Sequence, residues 1–189
     1  MREPLVRPGR RPRLFLDACV LYPTVMRQVL LGLAREGFYA PRWSARVLEE
    51  WALAAAKLGP AGEEQARVEV AETREAFPEA EVGAASERGL SLPDPNDLHV
   101  LAAAVASSCD GIVTENAKDF PRGALADEGL ARIGADQLAM ECFAVDAEAV
   151  ARVGNGVLAE ARRLSGEDWE IRPLMRKARM PKLGKALAD

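Results

Sequence analysis

A chain of 189 residues, 49% of them hydrophobic and with a net charge of −4, is long enough for one well-filled domain with a small appendage. No apolar run approaches the roughly 18 residues that span a bilayer, and the Arg-rich start lacks the apolar stretch of a secretory signal, so a soluble cytoplasmic protein is expected. The single histidine, His99, excludes two-histidine nucleases, H-E-x-x-H proteases and His-rich zinc sites, while Cys19, Cys109 and Cys142 are too scattered for a disulfide framework and suit buried free thiols.

In chain order, the first expected element is a buried strand, Leu14 to Leu16, that ends on Asp17 within the otherwise apolar stretch LFLDACVLYP. A carboxylate in such a place needs a cation, a proton or a set of hydrogen bonds. Pro23 suits the first position of a helix that carries Val25, Met26, Val29, Leu30 and Leu33 as far as Gly37. A short segment, FYAP, then leads to Ser44, the expected cap of the helix SARVLEEWALAAAKL, which Gly59-Pro60 closes. Its apolar stripe is read as Val47, Trp51, Ala54, Ala55 and Leu58; at about 100° per residue Glu50 borders that stripe and Glu49 lies nearly opposite. Glu50 can therefore reach a shielded site, whereas Glu49 is expected in solvent.

A charged helix over residues 62–77 and a loop containing Gly and Ser precede LPDPNDLHVLAAAVASS, another helix, with Asp94 as its cap, Pro95 at its first position and Asp97 in its first turn. Acids at a helix start stabilise it without any chemistry, a reading that weighs more for Asp94 than for Asp97. GIVTEN reads as a short apolar strand, KDFPRGAL as a loop, ARIG as a last strand and ADQLAMECF as a helix. Further on, AVDAEAVARVGNGVLAEARRL has helical periodicity interrupted at Gly154 and Gly156. Ser165 with Asp168 then resembles a capping box opening a helix over EDWEIRPLMRKARM, which Pro173 kinks or restarts. Strands alternating with helices imply an α/β fold with a parallel sheet and a ligand site beyond the carboxyl ends of its strands.

Charge is unevenly spread. Residues 1–13 carry five arginines against Glu3, residues 171–188 carry six basic residues and no acid, and residues 14–170 are left at −13. The basic ends are open to two readings, solvated and partly disordered tails or phosphate-gripping segments.

LFLDACVLYP, the acid in VLEEW, LPDPNDLHVLAAA and IVTENAKDFP, in this order, resemble the four acidic motifs of PIN domains, the nuclease fold of the VapC-type bacterial toxins. The resemblance covers residues 13–143 and implies a three-layer α/β/α domain there, leaving residues 144–189 as a helical, basic C-terminal extension. Carried over by position, it implicates Asp17, Glu50, Asp97 and Asp119 as an acidic quartet with Thr114 and Asn116 as polar supports fixing the loop around Asp119. Cys19 departs from the pattern, standing where many PIN domains have Asn, Ser or Thr, and so is expected to remove a polar group beside Asp17.

Four converging carboxylates repel one another and take up protons unless a divalent cation neutralises them, and all-oxygen ligation favours Mg²⁺ or Mn²⁺. The expected partner of Asp17 is then a metal rather than a side chain, with Asp17, Asp97 and Asp119 as ligands and Glu50 as a water-mediated ligand or general base. The resemblance further implies RNA as substrate, endonucleolytic hydrolysis, a small antitoxin protein as partner, room for a homodimer, and no membrane association. A housekeeping RNA-processing PIN nuclease and an inactive PIN scaffold binding RNA or protein are the alternatives. A haloacid dehalogenase-type phosphatase is set aside because its D-x-D motif would need an acid at Cys19.

Overall fold

The computed structural model describes residues 2–189, which form two compact units. One comprises Arg13–Tyr22 and Ala40–Ile133; the other comprises residues 2–12, Pro23–Tyr39 and Gly134–Asp189.

The first unit is built on a five-stranded, all-parallel sheet of β1 (Arg13–Leu16), β2 (Ala40–Ser44), β3 (Glu81–Val82), β4 (Gly111–Val113) and β5 (Ala131–Ile133), in the order β3-β2-β1-β4-β5. The α/β class with a central parallel sheet flanked by helices is thus the fold observed. Leu14, Phe15 and Leu16 of the central strand are fully buried, as a strand covered on both faces requires. From β1 the chain first builds outward through β2 and β3, then returns to the other side of β1 for β4 and β5. The strand order therefore reverses between β1 and β4, where a parallel sheet opens a crevice at its carboxyl edge.

β2 is more than the short segment expected, because Pro41 and Arg42 break its apolar pattern. Pro41 is tolerated since β3 pairs only with Trp43 and Ser44, so the outer side of β2 at Pro41 has no ladder to feed.

Five helices belong to this unit: α1 (Ala18–Leu21), α3 (Ala45–Ala55), α4 (Pro60–Ala76), α5 (Leu98–Ala106) and α6 (Arg122–Asp127). Ser44 caps α3 as expected, its hydroxyl accepting from the Val47 amide at 3.2 Å. The buried stripe of α3 is Val47, Leu48, Trp51, Ala52 and Ala55. Ala54 is only half-buried and Leu58 is exposed, contrary to the stripe read from sequence. The helix tightens into a 3₁₀ turn over Ala56–Leu58 and stops at Gly59, whose φ of +92° suits only glycine, so the later residues leave the apolar face. The stretch read as the loop KDFPRGAL contains the start of α6, with Pro121 at its cap.

The second unit is helical: α2 (Thr24–Arg35), α7 (Ala135–Val145), α8 (Ala147–Ser165), α9 (Ile171–Lys177) and α10 (Pro181–Ala188). Pro23 precedes α2 as its cap residue rather than opening it. Gly154 and Gly156 do not interrupt α8; a side chain at Gly154 would meet Leu187 of α10, so this glycine serves close packing. The capping box expected at Ser165 and Asp168 is absent. α8 runs on to Ser165, whose hydroxyl donates to the Ala161 carbonyl at 2.8 Å, and Gly166 ends the helix at φ +70°. α9 starts afresh at Ile171, with Pro173 in its first turn, where a missing N–H costs nothing.

Neither basic end is a loose tail. Glu141 accepts from the Leu5 and Val6 amides and from Arg2, while Leu174, Met175, Met180 and Leu183 are buried. Trp169 and Ile171 are half-buried. No helix among the described residues is long and apolar enough to cross a membrane.

Candidate metal centre

Two strand ends and one helix start bring the polar residues of the first unit together. β1 delivers Asp17 and β4 delivers Thr114, on the two sides of the point where strand order reverses. The Asp17 amide donates to the Val113 carbonyl at 3.1 Å, so the ladder extends up to Asp17 and fixes its backbone.

Asp17 is only 7% exposed, and its carboxylate has protein partners. Oδ1 accepts from the Ala18 amide at 2.8 Å and so caps α1, and Oδ2 accepts from the Thr114 hydroxyl at 2.8 Å and from the Cys19 thiol at 3.1 Å. This corrects the expectation that no side chain pairs with Asp17. It also corrects the reading of Cys19 as a lost polar group, since the thiol occupies that place as a donor. Burial, and next the Asp17 charge, push the Cys19 thiol up to about 12, so it keeps its proton at neutral pH. All three cysteines are free; Cys109 and Cys142 are buried and Cys19 is half-buried.

Thr114 and Asn116 divide their work. The Thr114 hydroxyl donates to Asp17 and accepts from the Asn116 amide at 3.0 Å, linking the end of β4 to the end of β1. The Asn116 side-chain amide donates to Asp119 Oδ2 at 3.0 Å, which anchors the Asp119 carboxylate in the loop before α6. Asn116 thus fixes the loop around Asp119, whereas Thr114 serves Asp17 instead.

Asp94, Asp97 and Asp119 each offer an oxygen within 4.8 Å of the others. All three are half-buried. Asp94 caps the 3₁₀ turn Pro95–Asp97 by accepting from the Asn96 amide at 2.9 Å, while the Asp97 side chain caps nothing. In a 3₁₀ turn, with three residues per turn, positions three apart stack on one face, and this brings Asp94 and Asp97 together. In sequence, the capping role of Asp94 outweighs a functional one. The signal that could have found it is the spacing D-P-N-D itself, once the helix start is read as 3₁₀ rather than α.

The electrostatics are those of an unneutralised anion cluster. Burial first, then the charges of Asp17, Asp94 and Asp119, raise the Asp97 carboxyl from 3.8 to about 6, with His99 acting weakly the other way. Three hard oxygen donors with no sulfur or imidazole among them fit Mg²⁺ or Mn²⁺, and a bound divalent cation would remove the repulsion that raises Asp97.

Glu50 stands apart from the trio. Its Oε1 accepts from His99 Nε2 at 2.9 Å and from Arg46 Nε at 3.3 Å, and Oε2 has no protein partner among the described residues. Glu49 is exposed and held by both terminal nitrogens of Arg67 at 2.9 Å, in solvent as its helical position predicts. Of the residues singled out by sequence, Asp97 and Asp119 are brought together, Asp17 lies close enough for its charge to act on Asp97, and Glu50 is held separately by His99. In sequence His99 serves only to exclude chemistries, and nothing in the spacing signals its contact with Glu50.

A family model described as PIN domain matches residues 13–118, more than half of the chain. No curated protein and no solved structure gives a significant match.

Proposed function

The chain belongs to the PIN-domain family, and on that premise we propose that it is a metal-dependent endoribonuclease that hydrolyses RNA phosphodiester bonds with Mg²⁺ or Mn²⁺. PIN is a nuclease-type fold, and its members are generally nucleases that use divalent metals. The observation that carries the reading is the trio Asp94, Asp97 and Asp119 with its raised Asp97 carboxyl, at the edge of a parallel sheet whose strand order reverses beside Asp17.

Asp97 and Asp119 would hold the cation, with Asp94 and Asp17 adding ligand oxygens or charge from either side. When bound, the ion supplies a Lewis acid that offsets charge on the phosphodiester and lowers the pKa of a water. The protein's own part is positional. Asn116 keeps Asp119 in place, and Thr114 with Cys19 keeps the Asp17 carboxyl oriented. Glu50, fixed at Oε1 by His99 and Arg46, serves as a water-mediated ligand or takes the proton of the attacking water on Oε2. As the P–O bond to the leaving oxygen breaks, that oxygen takes up a proton from solvent.

The four motifs in VapC-like order support placing the protein as the toxin half of a type II toxin–antitoxin pair. A small antitoxin would then cover the acidic crevice, and a homodimer is compatible with this role. Incubation with a labelled single-stranded RNA should give endonucleolytic fragments with Mg²⁺ or Mn²⁺ and none in EDTA; cleavage that persists in EDTA would sink the metal mechanism. A small protein encoded by the adjoining upstream reading frame should suppress cleavage when added, and its failure to bind would remove the toxin assignment while leaving the nuclease.

A further inference from the structure

We infer that the exposed face of α9 and α10 is a phosphate-binding surface for the backbone of single-stranded RNA, an inference that rests on the RNA reading of the candidate centre but uses none of its residues. Arg172, Arg176, Lys177, Arg179, Lys182 and Lys185 are all exposed; residues 171–188 contain no acid, and Glu170 stands just before α9.

Several arginines on the other helices set a contrast. Arg67 is held by Glu49 and Glu63, Arg74 by Glu81, Arg152 by Glu36 and Arg163 by Glu160. Among the described residues none of these six cations, five on α9 and α10 and Arg179 in the turn between them, has a carboxylate partner; Lys177 lies 4.9 Å from the centre of the Trp169 ring. Arg172 and Arg176 are four residues apart on one helix face, a like-charge pair that weakens a helix unless something outside neutralises it. Helix dipoles do not account for the pattern. They favour Arg176 and Lys177 in the last turn of α9, but they disfavour Arg172 in its first turn and Lys182 in the first turn of α10.

The array is rigid. Leu174, Met175, Met180 and Leu183 are buried, Asp136 of α7 accepts from the Lys182 and Leu183 amides at 3.0 Å, and Gly184 lets α10 approach Met175 so closely that a Cβ there would lie 2.8 Å from it. The cations are therefore presented by a folded scaffold, and Arg172, Arg176 and Lys177 line an open groove of about 690 Å³ with Pro173 and Glu170.

Chemistry selects the occupant. A membrane surface would need an apolar stripe beside the cations, yet no large exposed hydrophobic residue lies on α9 or α10. A protein partner would be expected to seat a desolvated apolar or aromatic anchor, yet the one aromatic side chain described beside these cations, Trp169, is half-buried and lies against Lys177, whereas nucleic-acid surfaces are polar and positive throughout. Guanidinium groups grip phosphate with paired hydrogen bonds, and a net −13 over residues 14–170 leaves a polyanion in need of attraction from elsewhere in the chain.

The test is fluorescence anisotropy of the full-length protein with a labelled single-stranded oligouridylate, in EDTA so that nothing is cleaved, over a series of KCl concentrations. Replacing Arg172, Arg176 and Lys177 together by Gln should make the slope of log affinity against log salt shallower by about 2, at about 0.7 per lost contact. Arg67→Gln, which alters a neutralised arginine, should leave the slope unchanged. If thermal melts show that the triple variant does not fold, Lys182→Gln with Lys185→Gln should still flatten the slope by about 1.4. An unaltered slope in folded variants overturns the inference, and if the same variants lose binding to polyglutamate, the face belongs to an acidic protein. A wild type with a steep slope that never cleaves RNA in Mg²⁺ or Mn²⁺ would remove the nuclease reading and leave this surface standing.

Discussion

Asp17, at the end of β1, accepts hydrogen bonds from the Ala18 amide, the Cys19 thiol and the Thr114 hydroxyl, whereas Asp97, at the start of α5, caps nothing and faces Asp94 and Asp119. Both are acids on the same sheet-bearing unit, yet one is served by its own chain and the other is raised to about 6 by burial and neighbouring charge. The difference teaches where an external charge is needed. At Asp17 the fold supplies three hydrogen-bond donors that hold the carboxyl group in place. At the trio it supplies only more anions, so a cation or a proton has to come from solution.

The sharpest way to break that comparison is to remove charge from the trio. Asp97→Asn should lower Mg²⁺-dependent RNA cleavage by more than the roughly 10–100-fold that loss of a supporting partner costs, and should abolish the rise in Tm on adding Mg²⁺. The metal-free Tm at pH 7 should not fall, because the substitution relieves repulsion. Asp94→Asn keeps an oxygen to cap the Asn96 amide and removes one charge, so its loss should be smaller. Full activity in Asp97→Asn would show that the trio is only a helix start.

The Asp17 side of the comparison predicts the next largest effect. Thr114→Val removes a hydroxyl donor at 2.8 Å from a nearly buried carboxylate, which should cost roughly 1.5–3 kcal/mol in stability. Metal affinity should fall roughly 10–100-fold, since Asp17 and the Asn116 amide lose their common link. Urea melts and Mn²⁺ titration check the two parts separately. A loss of stability with metal affinity intact would confine Thr114 to the fold.

Much of this arrangement was legible in sequence. An acid after three buried apolar residues had to end a strand, and Glu50 and Glu49 separated by helical angle as the fold has them. Other features were hidden for physical reasons. Pro41 and Arg42 mask β2, because a strand with a partial edge tolerates a proline and a charge that a central strand would not. Asp94 was hidden because capping explains an aspartate before Pro95 completely, until the 3₁₀ geometry stacks it on Asp97. The part played by the Cys19 thiol is hidden because it depends on contacts at two strand ends, and one-dimensional spacing does not show which way a thiol points.

A smaller effect is expected in the pH dependence of stability. Between about 4 and about 6 the folded chain holds a proton on Asp97 that the unfolded chain, with a carboxyl near 3.8, has already released. The folded state then binds more protons than the unfolded one, so this group's contribution to stability falls as pH rises through that window and is level above it. Because other carboxylates titrate in the same range, the measurable quantity is the Tm of wild type minus that of Asp97→Asn in EDTA. It should decrease from pH 4 to pH 6, and saturating Mg²⁺ should suppress the decrease. A difference that rises with pH would mean that the trio attracts Asp97's charge rather than repelling it.

The smallest effect should come from Cys19, where the comparison can be sharpened by a single atom. Its thiol, held protonated by burial and by Asp17, donates to Oδ2 at 3.1 Å and accepts from the Glu115 amide at 3.4 Å. Cys19→Ser keeps a donor and an acceptor in that place, so cleavage and stability should stay near wild type. Cys19→Ala removes the donor but leaves Thr114 and the Ala18 amide on the carboxylate, and the cost should be about 1 kcal/mol. The same protonated state predicts slow alkylation of Cys19 by iodoacetamide at pH 7.5, because the thiolate is the reactive form. Peptide mapping after alkylation measures this directly, and rapid labelling in the folded protein would mean that the thiol is ionised and cannot be serving Asp17 as a donor.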